Sequence, residues 1–328
     1  MESSISQPQP VWIHSSQQMH SIAERRRNGL FNGRIPNAFL YSGYAQSKLW
    51  LEVFRKHSPT SHNNDFQRWY KSFLASVAQN ITADAVHVVG LGSGGGEKDC
   101  WLLEALHAHK LLFTPVDVSE VLALLSAQRV AHLLEQPPRP LTAELSACSD
   151  LISWLDSFDG GIKRVFTCFG VIPNIEPESL LPLLRSFLRH EDILLLSANL
   201  APVTKDQTYQ EACQQILPQY DNLETRRWVS QVLIDWGLSD YLEPVECRLE
   251  PWANLYSITM TTRWARATSL VWEESQFQAE AGQELVVFNS LRYTPALLKD
   301  WLTKFDLRVG KETIFSSGEE GIWEVMPR

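Results

Sequence analysis

The sequence predicts an α/β fold: a doubly wound, mostly parallel sheet finished by a terminal β-hairpin, with a second, α+β region beside it. Three observations lead there. A short apolar run, VHVV, passes directly into a turn with five glycines in the seven residues Gly90 to Gly96, and then into a helical pattern. Strand-like and helix-like segments alternate from there to about residue 198, the pattern of successive βαβ units. The alternation stops after Leu200 and resumes near the C-terminus, which marks an insertion into the series.

Each element follows from its local pattern. Residues 1–20, rich in Ser, Gln and Pro, are expected to form a loose arm. A helix is expected over 21–28, a break over 29–36, an amphipathic helix over 44–56 and a turn-rich stretch over 58–64. In 66–79 the apolar residues Phe66, Trp69, Tyr70, Phe73, Leu74 and Val77 recur at helical spacing. The α/β series then reads strand 85–89, helix 97–109, strand 111–116, helix 119–134, helix 151–158, strand 164–169, helix 179–189 and strand 192–198. Residues 207–238 look entirely helical. Alternating runs within 245–272 suggest antiparallel strands, a helix returns over 295–304, and 307–315 with 321–326 form the hairpin. The expected organisation is therefore 65–198 as the main α/β unit, 294–328 as its completion, and 1–64 with 199–293 as the second region over the sheet's carboxyl edge.

Composition narrows the function. A chain of 328 residues with 44% hydrophobic and 20% charged residues can bury a sizeable core without disulfide staples. Its net charge of −9 and single short basic run, Arg25 to Arg27, argue against a nucleic-acid partner. Five scattered cysteines without CxxC spacing, and no apolar leader or run near the roughly 20 residues of a membrane span, point to a cytoplasmic protein without a membrane partner. The nine histidines form no HExxH, there is no GxSxG elbow, and no metal site is expected. Twelve tryptophans are many for this length; Trp228, Trp252 and Trp264 are candidates to line a pocket for a flat or cationic ligand.

The glycine turn holds the chemistry. Gly90, Gly92 and Gly94 follow a strand and precede a helix, where backbone can approach a ligand and helix N-terminal N–H groups are exposed. Asp117, ending the next strand, suits the hydroxyls of a ribose. The pair fits a dinucleotide or S-adenosylmethionine. Gly95 sits in the middle of a glycine run rather than alone at the third place of a dinucleotide fingerprint, and Lys98 offers an ammonium to a carboxylate; both favour S-adenosylmethionine.

The segments GSGGGEKDCWLLEAL, FTPVDVSE, CFGVIPNIEP and FNSLRYTPALLKDWL resemble, in order and spacing, the motifs of the histidine-specific methyltransferase family. That family comprises S-adenosylmethionine-dependent enzymes that trimethylate the histidine α-amine on the way to ergothioneine, together with dimethylallyltryptophan N-methyltransferases. The resemblance runs from about residue 35 to the C-terminus. It implies a class I, Rossmann-like methyltransferase sheet, S-adenosylmethionine as cofactor, and a small-molecule amine as substrate, in a monomer or homodimer. It also implies site roles: Gly92, Ser93, Gly94 and Lys98 at the methionine end of the cofactor, Asp117 at the ribose, Asp150 at the adenine amine, and Gly170 opening the loop after the next strand. Asn174 would bind the amino-acid head, Tyr209 would lie near the acceptor nitrogen, Tyr41 would close the pocket, and Ser290 and Phe288 would line it.

Departures from the family pattern bear on the substrate. Where the histidine enzymes carry a glutamate for the imidazole, this chain has Phe288, and an apolar ring accepts no N–H. Position 90, usually an acid, is glycine, and FGVIPN is one residue shorter than the family's loop. The expectation is methyl transfer to the α-amine of an amino acid or derivative with an aromatic or apolar side chain. Its rivals are a histidine enzyme with a rearranged site, a nicotinamide oxidoreductase, and a non-catalytic module that binds the cofactor.

Overall fold

The computed structural model describes residues 10–328. In chain order its strands are β1 (Trp12–Ile13), β2 (Ala85–Leu91), β3 (Lys110–Asp117), β4 (Leu141–Thr142), β5 (Lys163–Phe169), β6 (Ile193–Asn199), β7 (Glu246–Trp252), β8 (Leu255–Arg263), β9 (Thr268–Trp272), β10 (Ser275–Ala279), β11 (Glu284–Arg292), β12 (Leu307–Ile314) and β13 (Glu320–Pro327). Eight of them form one sheet in the order β1-β4-β3-β2-β5-β6-β13-β12. The first six pair in parallel, β13 runs antiparallel to β6, and β12 is antiparallel to β13.

The central strands read as unbroken apolar runs because both faces are covered. In β2, AVHVVGL, every residue after the first is buried. One face packs Phe66, Tyr70, Phe73 and Leu74 of the helix Asn64–Ala78, and the other packs Leu180, Leu181 and Leu184 of the helix Pro177–Phe187. The chain proceeds from β2 outward to β3 on one side and to β5 on the other, so the carboxyl ends of β2, β3 and β5 frame a crevice at the switch point.

The second region is a three-stranded antiparallel sheet, β11-β8-β7, and a hairpin, β9-β10. Its two ends are tied together: Leu200 bridges Tyr293, and Ala201 N–H donates to the Tyr293 carbonyl (2.9 Å). Leu30, Ile35, Phe39, Leu40 and Leu49 share one core with Trp228, Val229, Met260 and Phe288, so the N-terminal helices and the insertion pack as one body.

Several expectations change. The first nine residues of the expected loose arm lie outside the described residues, but its later part is ordered: β1 pairs in parallel with β4, and Trp12 packs edge-on against Trp154. The 58–64 stretch contains a short helix, Pro59–His62, because Ser58 caps it and proline occupies its first turn. The helix expected over 21–28 runs from Met19 to Phe31, through Gly29. Residues 207–238 divide into helices Tyr209–Ile216 and Leu223–Asp235, separated by a short turn that contains Pro218. Among the described residues, no helix is long and apolar enough to cross a membrane.

Candidate active site

Three adjoining cavities of about 430, 90 and 270 Å³ lie over the crevice, and all three are bordered by Trp50 and Phe169. The glycine loop separates the first two. Gly92 and Ser93 N–H groups donate to the Val116 carbonyl, and Gly94 N–H donates to Asp117 Oδ2 (2.9 Å), which ties the loop to the end of β3. Gly92 and Gly94 have φ of +66° and +55°, and side chains there would reach Val171 Cγ2 at 2.5 Å and Trp50 Cη2 at 2.9 Å. Glycine is what lets Val171 and Trp50 close over the loop.

The largest cavity is bordered by Gly92, Gly94, Asp117, Glu144, Leu145 and Gly170. Burial pushes the Asp117 carboxyl up to about 6, against the N–H groups of Ser119 and Gly94 that favour its charged form. Glu144, just beyond β4, is held by Arg25 (3.0 Å), Ser146 and, through its own N–H, Ser16 Oγ (3.0 Å). The smallest cavity runs under the loop past Ser93, Lys98, Asp99 and Thr167.

The third cavity lies between the sheet edge and the second region. Phe288, Ser290, Tyr220, Trp228, Tyr41 and Asn174 border it. A β-bulge between Val286 and Phe288 sets the register of β11, after which Phe288, Ser290 and Arg292 alternate onto one face. Phe288 is 2% exposed, stacked on Tyr220 (6.1 Å, 23°) and edge-on to Trp228 (5.7 Å, 65°). Ser290 Oγ accepts from Arg292 (3.0 Å), whose guanidinium lies over Tyr220. Asn174 Nδ2 donates to Tyr41 Oη (3.4 Å), and Asn37 donates to the Asn174 carbonyl (2.9 Å). Burial pushes the Tyr41 phenol well above its ordinary range, so it stays neutral.

The structure thus gathers Gly92, Ser93, Gly94, Lys98, Asp117, Gly170, Tyr41, Asn174, Phe288 and Ser290 around the connected cavities. It does not bring Asp150 or Tyr209 there. Asp150 has a side chain 65% exposed and accepts from His14 Nε2 (2.7 Å); the acid that this segment brings to the cavity is Glu144, because β4 ends at Thr142 and the chain turns away before Asp150. Tyr209 donates to the Arg292 carbonyl, accepts from Tyr256 N–H and packs edge-on to the Tyr256 ring, so it faces the back of β8. The insertion's tyrosine at the cavity, beside Tyr41, is Tyr220, whose hydroxyl accepts from Asn199 (3.3 Å). Lys98 borders two cavities, but its ammonium is already paired with Glu320 (2.7 Å) and lies over the Tyr70 ring. Of the three tryptophans singled out, Trp228 reaches the site, while Trp252 packs on Trp301 and Trp264 on Phe277. Glu144 and Tyr220 went unread because a two-residue strand and an inter-helix turn leave almost no periodic signal.

This donor set suits a nucleoside with a zwitterionic tail: carboxylates at Asp117 and Glu144, a glycine cradle with a buried, unpartnered Ser93 hydroxyl, and a third buried carboxylate, Asp99, beyond it. No curated protein matches the chain. Among solved structures it is similar to the magnesium protoporphyrin IX methyltransferase of Synechocystis PCC 6803, at 14% identity over 88% of this chain and 96% of that one, with a TM-score of 0.44. It is also similar to the 1,6-didemethyltoxoflavin-N1-methyltransferase of Burkholderia thailandensis, at 11% identity over 86% and 90%, with a TM-score of 0.39. The model of the family described as "Histidine-specific methyltransferase, SAM-dependent" matches residues 68–317, and the chain belongs to that family of S-adenosylmethionine-dependent methyltransferases.

Proposed function

We propose that the enzyme methylates the α-amine of an amino acid, or of an amino-acid-derived small molecule, whose side chain is aromatic or apolar. The observation that carries this reading is Phe288, set between Tyr220 and Trp228 in the third cavity. A ring accepts no hydrogen bond from an imidazole, whereas it packs well against another ring.

The bound cofactor supplies a methyl group already activated on sulfur. What remains for the protein is to hold a neutral amine about 3 Å from that group and to keep water away. In this reading the nucleoside lies in the largest cavity, with Asp117 at the ribose and Glu144 at the adenine amine. The acceptor enters the third cavity, and the two meet at Trp50, Phe169, Gly170 and Asn174, which border both. The Asn174 carbonyl is fixed by Asn37, which turns the side-chain amide toward Tyr41 and the cavity. Neutral Tyr41 accepts from Asn174 and keeps its own proton to donate to the substrate's head group. Tyr220, Tyr41 and Trp228 are the rings whose faces can attract the cationic product.

Incubation with S-adenosylmethionine and a panel of amino acids and indole amines, read by mass spectrometry as additions of about 14 mass units per methyl group, tests the proposal. Aromatic or apolar acceptors should be labelled and histidine spared. Transfer to histidine alone would sink the substrate assignment, and labelling of nothing in a broad panel would favour a binding module without catalysis.

A further inference from the structure

The strand that enters the glycine loop carries no side chain at Gly90, yet the space beside it is filled. A Cβ at Gly90 would lie 2.9 Å from Asp99 Oδ2 and 3.3 Å from Asp99 Cγ. Asp99 reaches this place from the first turn of the helix Glu97–Ala105 and is 2% exposed. Its Oδ1 accepts the Thr167 hydroxyl (2.5 Å), while its Oδ2 has no hydrogen-bond partner among the described residues. The charged neighbours are Glu97 and Lys98 on its own helix, and Lys98 is committed to Glu320 on β13. Asp99 is therefore a buried acid without a cation.

Its position says what cation belongs there. Gly92 and Gly94 border both the largest and the smallest cavity; Asp117 faces only the first and Asp99 only the second. A nucleoside held at the Asp117 end would have the glycines and then Asp99 on the side of its tail. We propose that Asp99 binds the ammonium of the cofactor's methionine tail, so that the carboxylate comes from the helix rather than from the strand end. Gly90 is then required, because a side chain there and the Asp99 carboxylate compete for one space. A buried carboxylate that meets a cation offsets part of its desolvation through a charge-assisted hydrogen bond. The inference rests on the assignment of the cofactor and not on that of the acceptor.

The test is calorimetric and needs no turnover. S-adenosylhomocysteine and its desamino analogue, in which hydrogen replaces the ammonium, are titrated into wild type and Asp99→Asn, which retains an acceptor for Thr167. Wild type should prefer the ammonium-bearing ligand by about tenfold or more. Asp99→Asn should lose that preference while binding the desamino analogue as wild type does. Equal weakening of both ligands, or a preference that survives the substitution, would overturn the proposal. A charge-relocation pair guards against a folding artefact: Asp99→Ala should lose the preference and Gly90→Asp in that background should regain it, whereas an Asp99→Ala protein that keeps the wild-type preference also overturns the proposal. An empty acceptor panel would remove the proposed substrate and leave this measurement intact.

Discussion

At the residue scale, Tyr209 and Tyr220 separate what a motif suggests from what packing allows. Both are tyrosines in the insertion, but the Tyr209 hydroxyl is consumed by the Arg292 carbonyl and the Tyr256 N–H, and that of Tyr220 stands at the cavity beside Asn199. Tyr209→Phe should cost about 1 kcal/mol of stability for the lost bonds and leave kcat unchanged. Tyr220→Phe should instead raise KM for the acceptor by up to about tenfold with little change in melting temperature. Steady-state kinetics beside thermal melts distinguish them, and a loss of kcat in the first variant would restore Tyr209 to the site. Phe288→Glu puts a carboxylate between two aromatic rings at a buried position, so it should lower turnover of aromatic amines at least about tenfold and cost a few kcal/mol of stability. Unchanged turnover would mean that Phe288 does not face the acceptor.

At the element scale, the clearest structural gain over the sequence is β1. Its two residues pair with the two of β4 and bring Ser16 to the Glu144 N–H and Arg25 to the Glu144 carboxylate. An N-terminal segment read as an arm thus braces one wall of the largest cavity. Deleting residues 1–17 should weaken S-adenosylhomocysteine binding by several-fold to about tenfold, measured by calorimetry, because Glu144 loses an anchor. Undiminished affinity would show that the helix Met19–Phe31 alone positions Glu144. What was legible was what repeats: β2, β5 and β6 as apolar runs, the helix Pro295–Lys304 from its proline start, and the closing hairpin. What was not legible depends on pairing across the chain. A two-residue strand has no period, and the bulge that fixes the face of Phe288 is set by β8, not by the local sequence. The acid facing the smallest cavity was hidden differently: Asp99 reads as an ordinary first-turn helix residue, and only the side chain missing at Gly90, whose place the carboxylate takes, gives it meaning.

At the scale of the whole molecule, the crevice concentrates buried acids whose charged forms are destabilising. Burial pushes Asp99 up to about 7 and Asp117 up to about 6 from the ordinary carboxylate value of 3.8. A carboxyl raised in the folded state binds more protons folded than unfolded between its ordinary and its raised value. Folding is therefore favoured at the acid end of that window, and the contribution is lost as pH rises from about 4 toward 7, at ~1.4 kcal/mol per unit at most. Asp99→Asn has nothing to ionise there. In the absence of ligand its melting temperature should draw ahead of wild type as pH rises across the window and keep a constant lead above about 7. Saturating S-adenosylhomocysteine should narrow that lead at pH 8, since the ligand's ammonium stabilises the ionised wild-type carboxylate and ligand at one concentration contributes more through mass action to the protein that binds it more tightly. Scanning calorimetry at pH 5 and pH 8, with and without ligand, reads all four states. A lead independent of pH would mean that Asp99 is ionised and already neutralised in the free protein, and a lead that ligand leaves unchanged would mean that the cation it meets is not the cofactor's.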